Sequence, residues 1–303
     1  MMPTLFNRYI WLTDIIYSAG QISKDEIDRK WSASSLNDKH ESRIPRTTFQ
    51  RLRNGIEEVF GLIIDCDRTT NLYYIANRND IRNSATQQWL LNTFAVTNMV
   101  QESRNIQDKI LLERMPSDSM YLTPIMEAIR AGKRLQMTYK KFLAAEPHTF
   151  RFSPYCLKTF KQRWYVAGVS EEHPDEVRVY GLDRVQNISL TDEAYDIPKS
   201  FDAEAFFYNY YGIWHDESIP PETVRIRVTR AGANYLRSLP LHHSQKELTG
   251  APDGFVDFEY YIVPTFDFVQ ELRTHGPDLK VLTPAHLAER MKNEYRMASE
   301  QYE

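Results

Sequence analysis

The chain has 303 residues, 42% of them hydrophobic and 26% charged, with 37 basic and 41 acidic side chains for a net charge of −4. At about 100–200 residues per domain this is two to three domains of ordinary globular composition. No apolar run reaches the roughly 20 residues that span a bilayer, and Met1 to Arg8 lack the layout of a signal peptide. Cys66 and Cys156 are too few and too far apart for a disulfide framework or a zinc spacing, so the expectation is a cytoplasmic protein with no membrane partner.

The elements divide the chain into 1–80, a helical linker at 81–132, a β-rich segment at 133–195, an aromatic connector at 196–220 and an α+β module at 221–303. In the first part Leu5, Tyr9, Leu12, Ile16 and Tyr17 recur at helical spacing. Ser23 with Glu26 three residues on marks the start of a second helix that runs to about Ser34. Pro45 opens a third, in which Phe49, Leu52, Ile56, Val59 and Phe60 form an apolar stripe and Gly61 stops the helix. Two strands, 62–64 and 72–75, flank a polar turn at 65–71.

In 81–132, Trp89, Leu90, Phe94, Val96 and Val100 predict one helix, and 110–112 and 125–129 two shorter ones. Five short strands follow at 135–139, 150–157, 163–170, 177–182 and 185–190, a count and spacing that suit a small barrel. The last module reads βαββαβα: a strand at 224–228, a helix at 231–238, strands at 245–248 and 255–263, a helix at 266–274, a strand at 279–282 and a helix from 284 to 297.

Charge is uneven along these parts. Residues 1–80 carry 11 basic and 11 acidic side chains, residues 133–190 carry 10 and 6, and residues 191–303 carry 11 and 19. Two places concentrate positive charge. On the third helix, opposite the stripe, lie Arg46, Thr47, Gln50, Arg51, Arg53 and Asn54, with no acid between Arg43 and Arg53. Arg and Gln fork base edges, and a helix so equipped fits a major groove of double-stranded DNA. Arg68, at the hairpin tip, stands where a wing would touch backbone. The rival reading is a solvated helix face, or a head that binds protein or RNA.

The second place is the β-rich segment. Alternation groups Arg151 with Tyr155 and Arg178 with Tyr180, with Tyr139 nearby, on what would be one sheet face. Guanidinium groups fork phosphates and tyrosine rings stack bases. The alternative is that these arginines pair with Asp175, Glu176 or Asp183 and that the tyrosines pack the barrel; Trp164 is expected in the core. His242 and His243 lack a third ligand at a useful spacing, and neither a phosphate loop nor an HExxH motif occurs. No metal, cofactor or catalytic residue is therefore expected, and a nucleotide-processing enzyme is the weakest alternative.

Three stretches, 151–157 (RFSPYCL), 163–166 (RWYV) and 178–185 (RVYGLDRV), resemble the WYL-domain transcription regulators of bacteria, and 276–287 is similar to the end of that family's C-terminal extension. The resemblance covers nearly the whole chain. It implies a winged helix–turn–helix at 1–80, a WYL barrel of Sm/SH3-like fold at 133–195 and a ferredoxin-like α+β extension at 221–303. It implies a nucleic-acid or nucleotide effector held by Tyr139, Arg151, Tyr155, Arg178 and Arg184; together with the basic third helix, the expectation is a homodimer that binds duplex DNA. The chain departs from the family at Val166 (commonly Leu), at Tyr155 (often His) and at Lys140-Lys141 (often Arg-Ser), differences that bear on which anionic effector is taken.

Overall fold

The computed structural model describes residues 5–37, 39–78, 91, 93–94, 109 and 119–303. They fall into two compact units, Met1–Glu113 and Arg114–Glu303. The helix expected around Trp89, Leu90, Val96 and Val100, and the one at 110–112, lie outside the described residues.

The first unit runs α1 (Leu5–Ala19), β1 (Ile22–Ser23), α2 (Lys24–Ala33), α3 (Arg46–Phe60), β2 (Ile64–Asp67) and β3 (Leu72–Ile75). Ser23 caps α2 by accepting from the Glu26 N–H at 3.2 Å. Gly61 ends α3 at φ 65°, its N–H donating to Glu57 O. The apolar faces meet in one core in which Trp11 and Trp31 pack edge to face at 5.2 Å, with Leu12, Ile16, Ile27, Leu52 and Ile56 fully buried. Gly55 is required where α3 crosses α1, because a Cβ there would lie 2.1 Å from Tyr9 Oη.

Three local expectations change. Val59 is 53% exposed and leaves the stripe, whereas Phe60 reaches Tyr9 and Phe94. The first strand of the hairpin is Ile64–Asp67 rather than 62–64, because β2 is an edge strand and tolerates the polar run Asp65-Cys66-Asp67. A two-residue strand, β1, joins the far side of β3 (Ile22↔Tyr73) and completes a three-stranded antiparallel sheet ordered β1-β3-β2.

The second unit opens with α4 (Leu122–Ala131), which buries Ile125 and Ala128 against a five-stranded sheet. The strands are β4 (Lys133–Tyr139), β5 (His148–Phe160), β6 (Arg163–Ser170), β7 (His173–Gly181) and β8 (Val185–Ala194), ordered β7-β6-β5-β4-β8 and antiparallel throughout. A flat sheet would put β4 and β7 about 14 Å apart, three strand spacings. Yet the Tyr139 and Tyr180 rings meet at 5.2 Å, as do Phe152 and Tyr180. The sheet is therefore bent round a core of Leu135, Met137, Phe150, Phe152, Val166 and Leu182, with Trp164 packed partly buried against it. Among the described residues no ladder joins β7 to β8, so the ends stay open.

After α5 (Ala203–Phe207) come β9 (Glu222–Thr229), α6 (Arg230–Ser238), β10 (Lys246–Leu248), β11 (Phe255–Ile262), α7 (Phe266–Thr274), β12 (Leu279–Thr283) and α8 (Ala285–Ser299). The sheet order is β10-β11-β9-β12, and Val224, Ile226, Phe258, Tyr260 and Phe268 fill its core. The buried Tyr260 hydroxyl donates to Gln245 Oε1 at 2.9 Å. The β5–β6 turn meets this last module, where Lys161 reaches Glu271 on α7 at 2.7 Å, and Phe160 packs on Tyr211 of the connector at 5.4 Å.

Candidate functional site

On α3, Arg46, Thr47, Gln50, Arg51 and Asn54 are exposed. Gln50 donates to Asn54 Oδ1 at 2.9 Å, while Arg46, Thr47 and Arg51 make no side-chain hydrogen bond or ion pair among the described residues. Arg53 leaves this set. Its Nε and Nη2 both donate to Ile64 O, and its guanidinium lies 5.6 Å over the Tyr73 ring, so it braces the helix against the hairpin. Arg68 begins the β2–β3 turn, which Asp67 closes by accepting from Thr69 N at 2.7 Å, and Asn71 takes φ 56°. That Thr69 N–H holds the Asp67 carboxyl below its usual range. Arg68 therefore sits at an exposed tip with the acids Asp65 and Asp67 close by in sequence.

The second unit contains a cavity of about 790 Å³ bounded by β7, the β4–β5 loop and residues 213–215. The aromatic rings of Tyr139, Phe150 and Tyr180 form its inner surface, in mutual contact at 5.2 and 5.4 Å. Burial pushes the Tyr139 hydroxyl up to about 12, with Arg184 opposing. Lys141, Arg178 and Arg184 supply positive charge, and Glu146, Glu172 and Glu176 stand on the same lining.

Arg184 lies 5.5 Å over Tyr139 and 5.0 Å over Phe142, with Nε 3.4 Å from Asp183. Arg178 forks Glu176 at 2.9 and 2.7 Å. Lys141 is exposed and has no ion pair among the described residues.

The face expected to gather Arg151, Tyr155, Arg178 and Tyr180, with Tyr139 nearby, is divided, and so is the effector set that the resemblance implied. Tyr139, Arg178 and Arg184 line the cavity; Arg151 and Tyr155 do not. Phe150 and Phe152 point to the core, so Arg151 between them points outward and pairs with Glu193 at 3.0 Å. Tyr155 falls in a β-bulge between Pro154 and Cys156, which breaks the alternation, and its ring packs on Tyr195 and Phe201 at 6.3 and 5.0 Å. The expected pairing with Glu176 and Asp183 occurs at Arg178 and Arg184.

Sequence reasoning missed the third wall. Ile213, Trp214 and His215 come from the connector and are hung on α7: Asp267 Oδ2 accepts from Ile213 N at 2.8 Å and from Trp214 N at 2.7 Å. Gly212 permits this approach, since a Cβ would stand 2.4 Å from that oxygen. His215 stacks on Phe206 at 3.8 Å and 11°, and burial holds its imidazole below the ordinary range. The density of aromatics in 201–214 was the only signal in the sequence.

His242 has both ring nitrogens engaged, Nδ1 with Ser244 Oγ at 2.7 Å and Nε2 with Tyr208 O at 2.9 Å. Among the described residues no group of His, Cys, Asp and Glu could hold a metal ion, and no helix is long and apolar enough to cross a membrane. Burial, opposed by the Tyr208 carbonyl, holds His242 below 6.5. The unfolded chain thus binds this proton at higher pH than the folded one. Its contribution to stability is full above about pH 6.5 and is lost as pH falls through the lower folded value. Thermal midpoints taken from about pH 7.5 to 5.5 should fall with acidification in the wild type and fall less steeply in His242→Gln; parallel profiles would show that His242 does not titrate with folding.

Comparison with known proteins adds two matches. Residues 120–190 match the model of the WYL domain, and residues 220–298 that of the WCX domain. No curated protein matches the chain. Among solved structures, Proteasome accessory factor B/C (PafBC) of Arthrobacter aurescens is 20% identical over 70% of this chain, with a TM-score of 0.29. The present chain spans 32% of that one. A CRISPR Cas-related protein is 14% identical over 98% of this chain and 85% of its own, with a TM-score of 0.40. At these TM-scores neither likeness bears on the fold. What the matches do establish is a chain with a WYL domain at 120–190 and a match to the WCX domain after it, the cavity's third wall standing on the segment between them.

Proposed function

We propose that the chain is a non-catalytic transcription regulator that binds duplex DNA through its N-terminal unit and senses an anionic nucleotide or short oligonucleotide in the second. The observation that carries this reading is the exposed trio Arg46, Thr47 and Arg51 on the first turns of α3, unpaired among the described residues, a cationic helix face that can meet phosphates and base edges. The element order α1-α2-α3 followed by a hairpin supports a winged helix–turn–helix. The bent five-stranded sheet supports an Sm/SH3-like barrel, and the order β12-β9-β11-β10 a ferredoxin-like extension. The WYL match supports the regulator class. A homodimer would present two such heads to one operator, and a ligand that binds one spacing of the heads better than another would shift DNA occupancy.

The reading is tested by fluorescence anisotropy of the full chain with genomic duplex fragments recovered by the purified protein. Duplex binding should weaken steeply with salt; a head that binds protein would show no such binding, and a head that prefers RNA would select it in competition. In the cavity, Arg184→Ala should weaken a 5′-phosphorylated deoxyadenosine dinucleotide about tenfold, the value of one charge-assisted contact. Unchanged dinucleotide binding in that variant would remove the cavity from the proposal.

A further inference from the structure

We infer that Trp214 and His215 form a base-selecting wall of the cavity, so that the ligand is a nucleotide whose base stacks on the Trp214 indole while its phosphate lies on Arg184 and Lys141. This rests on the effector reading above and specifies how that site chooses its ligand.

Trp214 is half exposed although it is held firmly. Its backbone N–H is fixed by Asp267 and its ring lies 5.5 Å from Phe266. A large ring carried on an anchored backbone, half uncovered and lining a cavity, offers contact area to a stacking partner. His215 packs between Phe206 at 3.8 Å and Tyr210 at 4.3 Å and stiffens the wall beside it.

The remaining chemistry of the lining is divided in the same sense. Arg184 is set between two aromatic rings with Asp183 at 3.4 Å, and Lys141 has no ion pair among the described residues, which suits a phosphate. Of the lining carboxylates, Glu176 is held by Arg178 and Glu172 lies 2.6 Å from His148, so Glu146 is the acceptor left for the amino group of a base edge, and all three oppose a second cluster of phosphates. A volume near 790 Å³ is that of a small-ligand site, large enough for one or two nucleotides and too small for a duplex. A dicarboxylate or a polyphosphate chain would leave the aromatic wall unused and would meet the carboxylates. Residues 213–215 lie outside both the WYL and the WCX match, so this selectivity belongs to the connector of this particular chain.

The test compares a 5′-phosphorylated deoxyadenosine dinucleotide with the same molecule lacking both bases, by calorimetry on the full chain. The wild type should prefer the base-bearing probe by about tenfold or more, the worth of one stacked base. Trp214→Ala should bring that preference close to one without weakening the abasic probe. Trp214→Phe, which keeps a ring and guards against misfolding, should restore most of it, and Arg184→Ala should weaken both probes alike. An unaltered preference in Trp214→Ala, or an equal loss of both probes, would overturn the stacking wall and leave the effector site standing. Failure of the wild type to bind either probe would overturn the effector reading itself, and this one with it.

Discussion

Gly168→Ala is expected to destabilise the second unit by about 3 kcal/mol, the upper part of the usual cost of overpacking. An added Cβ would lie 2.2 Å from Ser153 O, 2.7 Å from Phe152 Cζ and 3.0 Å from Pro154 Cα. Two of these three are backbone atoms of β5 beside the bulge after Pro154, and they cannot swing aside as a side-chain tip would. Relief requires β5 and β6 to part where Pro154 opposes Gly168, and Phe152, which is fully buried, would have to move with them. A loss of that size lowers the melting midpoint of a unit this large by roughly 10 °C and is a large share of the 5–15 kcal/mol that holds a typical domain folded.

Gly232→Ala is the control. It lies within α6, its Cβ would meet Thr229 Oγ1 at an ordinary 3.4 Å, and removal of a helical glycine should stabilise by about 0.5–1 kcal/mol. Calorimetric melting of both variants decides the matter. A Gly168→Ala protein that melts with the wild type would mean that the β5–β6 packing is looser than these distances require.

The double variant Arg46→Ala/Arg51→Ala is expected to lose duplex affinity by roughly a hundredfold near physiological salt, taking about tenfold for each charge-assisted contact to DNA. The salt dependence carries more information than the affinity. Each phosphate contact removed should lower the slope of log K against log salt by about 0.9, so the double variant should be shallower by nearly two if both arginines meet backbone. An unchanged slope with relaxed sequence preference would place them on base edges instead.

Arg53→Ala should behave differently. Because Arg53 donates twice to Ile64 O and covers the Tyr73 ring, its loss should lower the melting midpoint of the first unit together with any loss of binding. Full duplex affinity in the double variant, with the head still folded, would sink the proposed DNA-binding role of α3.

Much of this architecture is written locally. The apolar stripe of α3, the cap at Ser23, the stop at Gly61 and the strand at Arg163–Ser170 all follow from periodicities and capping chemistry that a few neighbouring residues carry. So does the βαββαβα order of the C-terminal module. The exposure of Arg46, Thr47 and Arg51 follows from the same helical period. Even here the bounds of β2 shifted from 62–64 to Ile64–Asp67, because an edge strand has one partner and its polar residues Asp65 and Asp67 carry no penalty for facing water.

The composition of the cavity was decided at longer range. Alternation shows that Arg151 and Phe152 face opposite ways, but only the bending of the sheet shows that Tyr180 shares the inner side with Phe152 and leaves Arg151 outside. The bulge at Tyr155 reverses the phase of β5 at one residue. Arg53 is drawn against the hairpin by a carbonyl eleven positions away, and Trp214 is brought to the cavity by a carboxylate on α7, fifty-three positions away. Periodicity records which side chains lie together along one element; which faces turn inward, and which loop closes a site, depend on contacts between elements distant in the chain, and those exist only once it has folded.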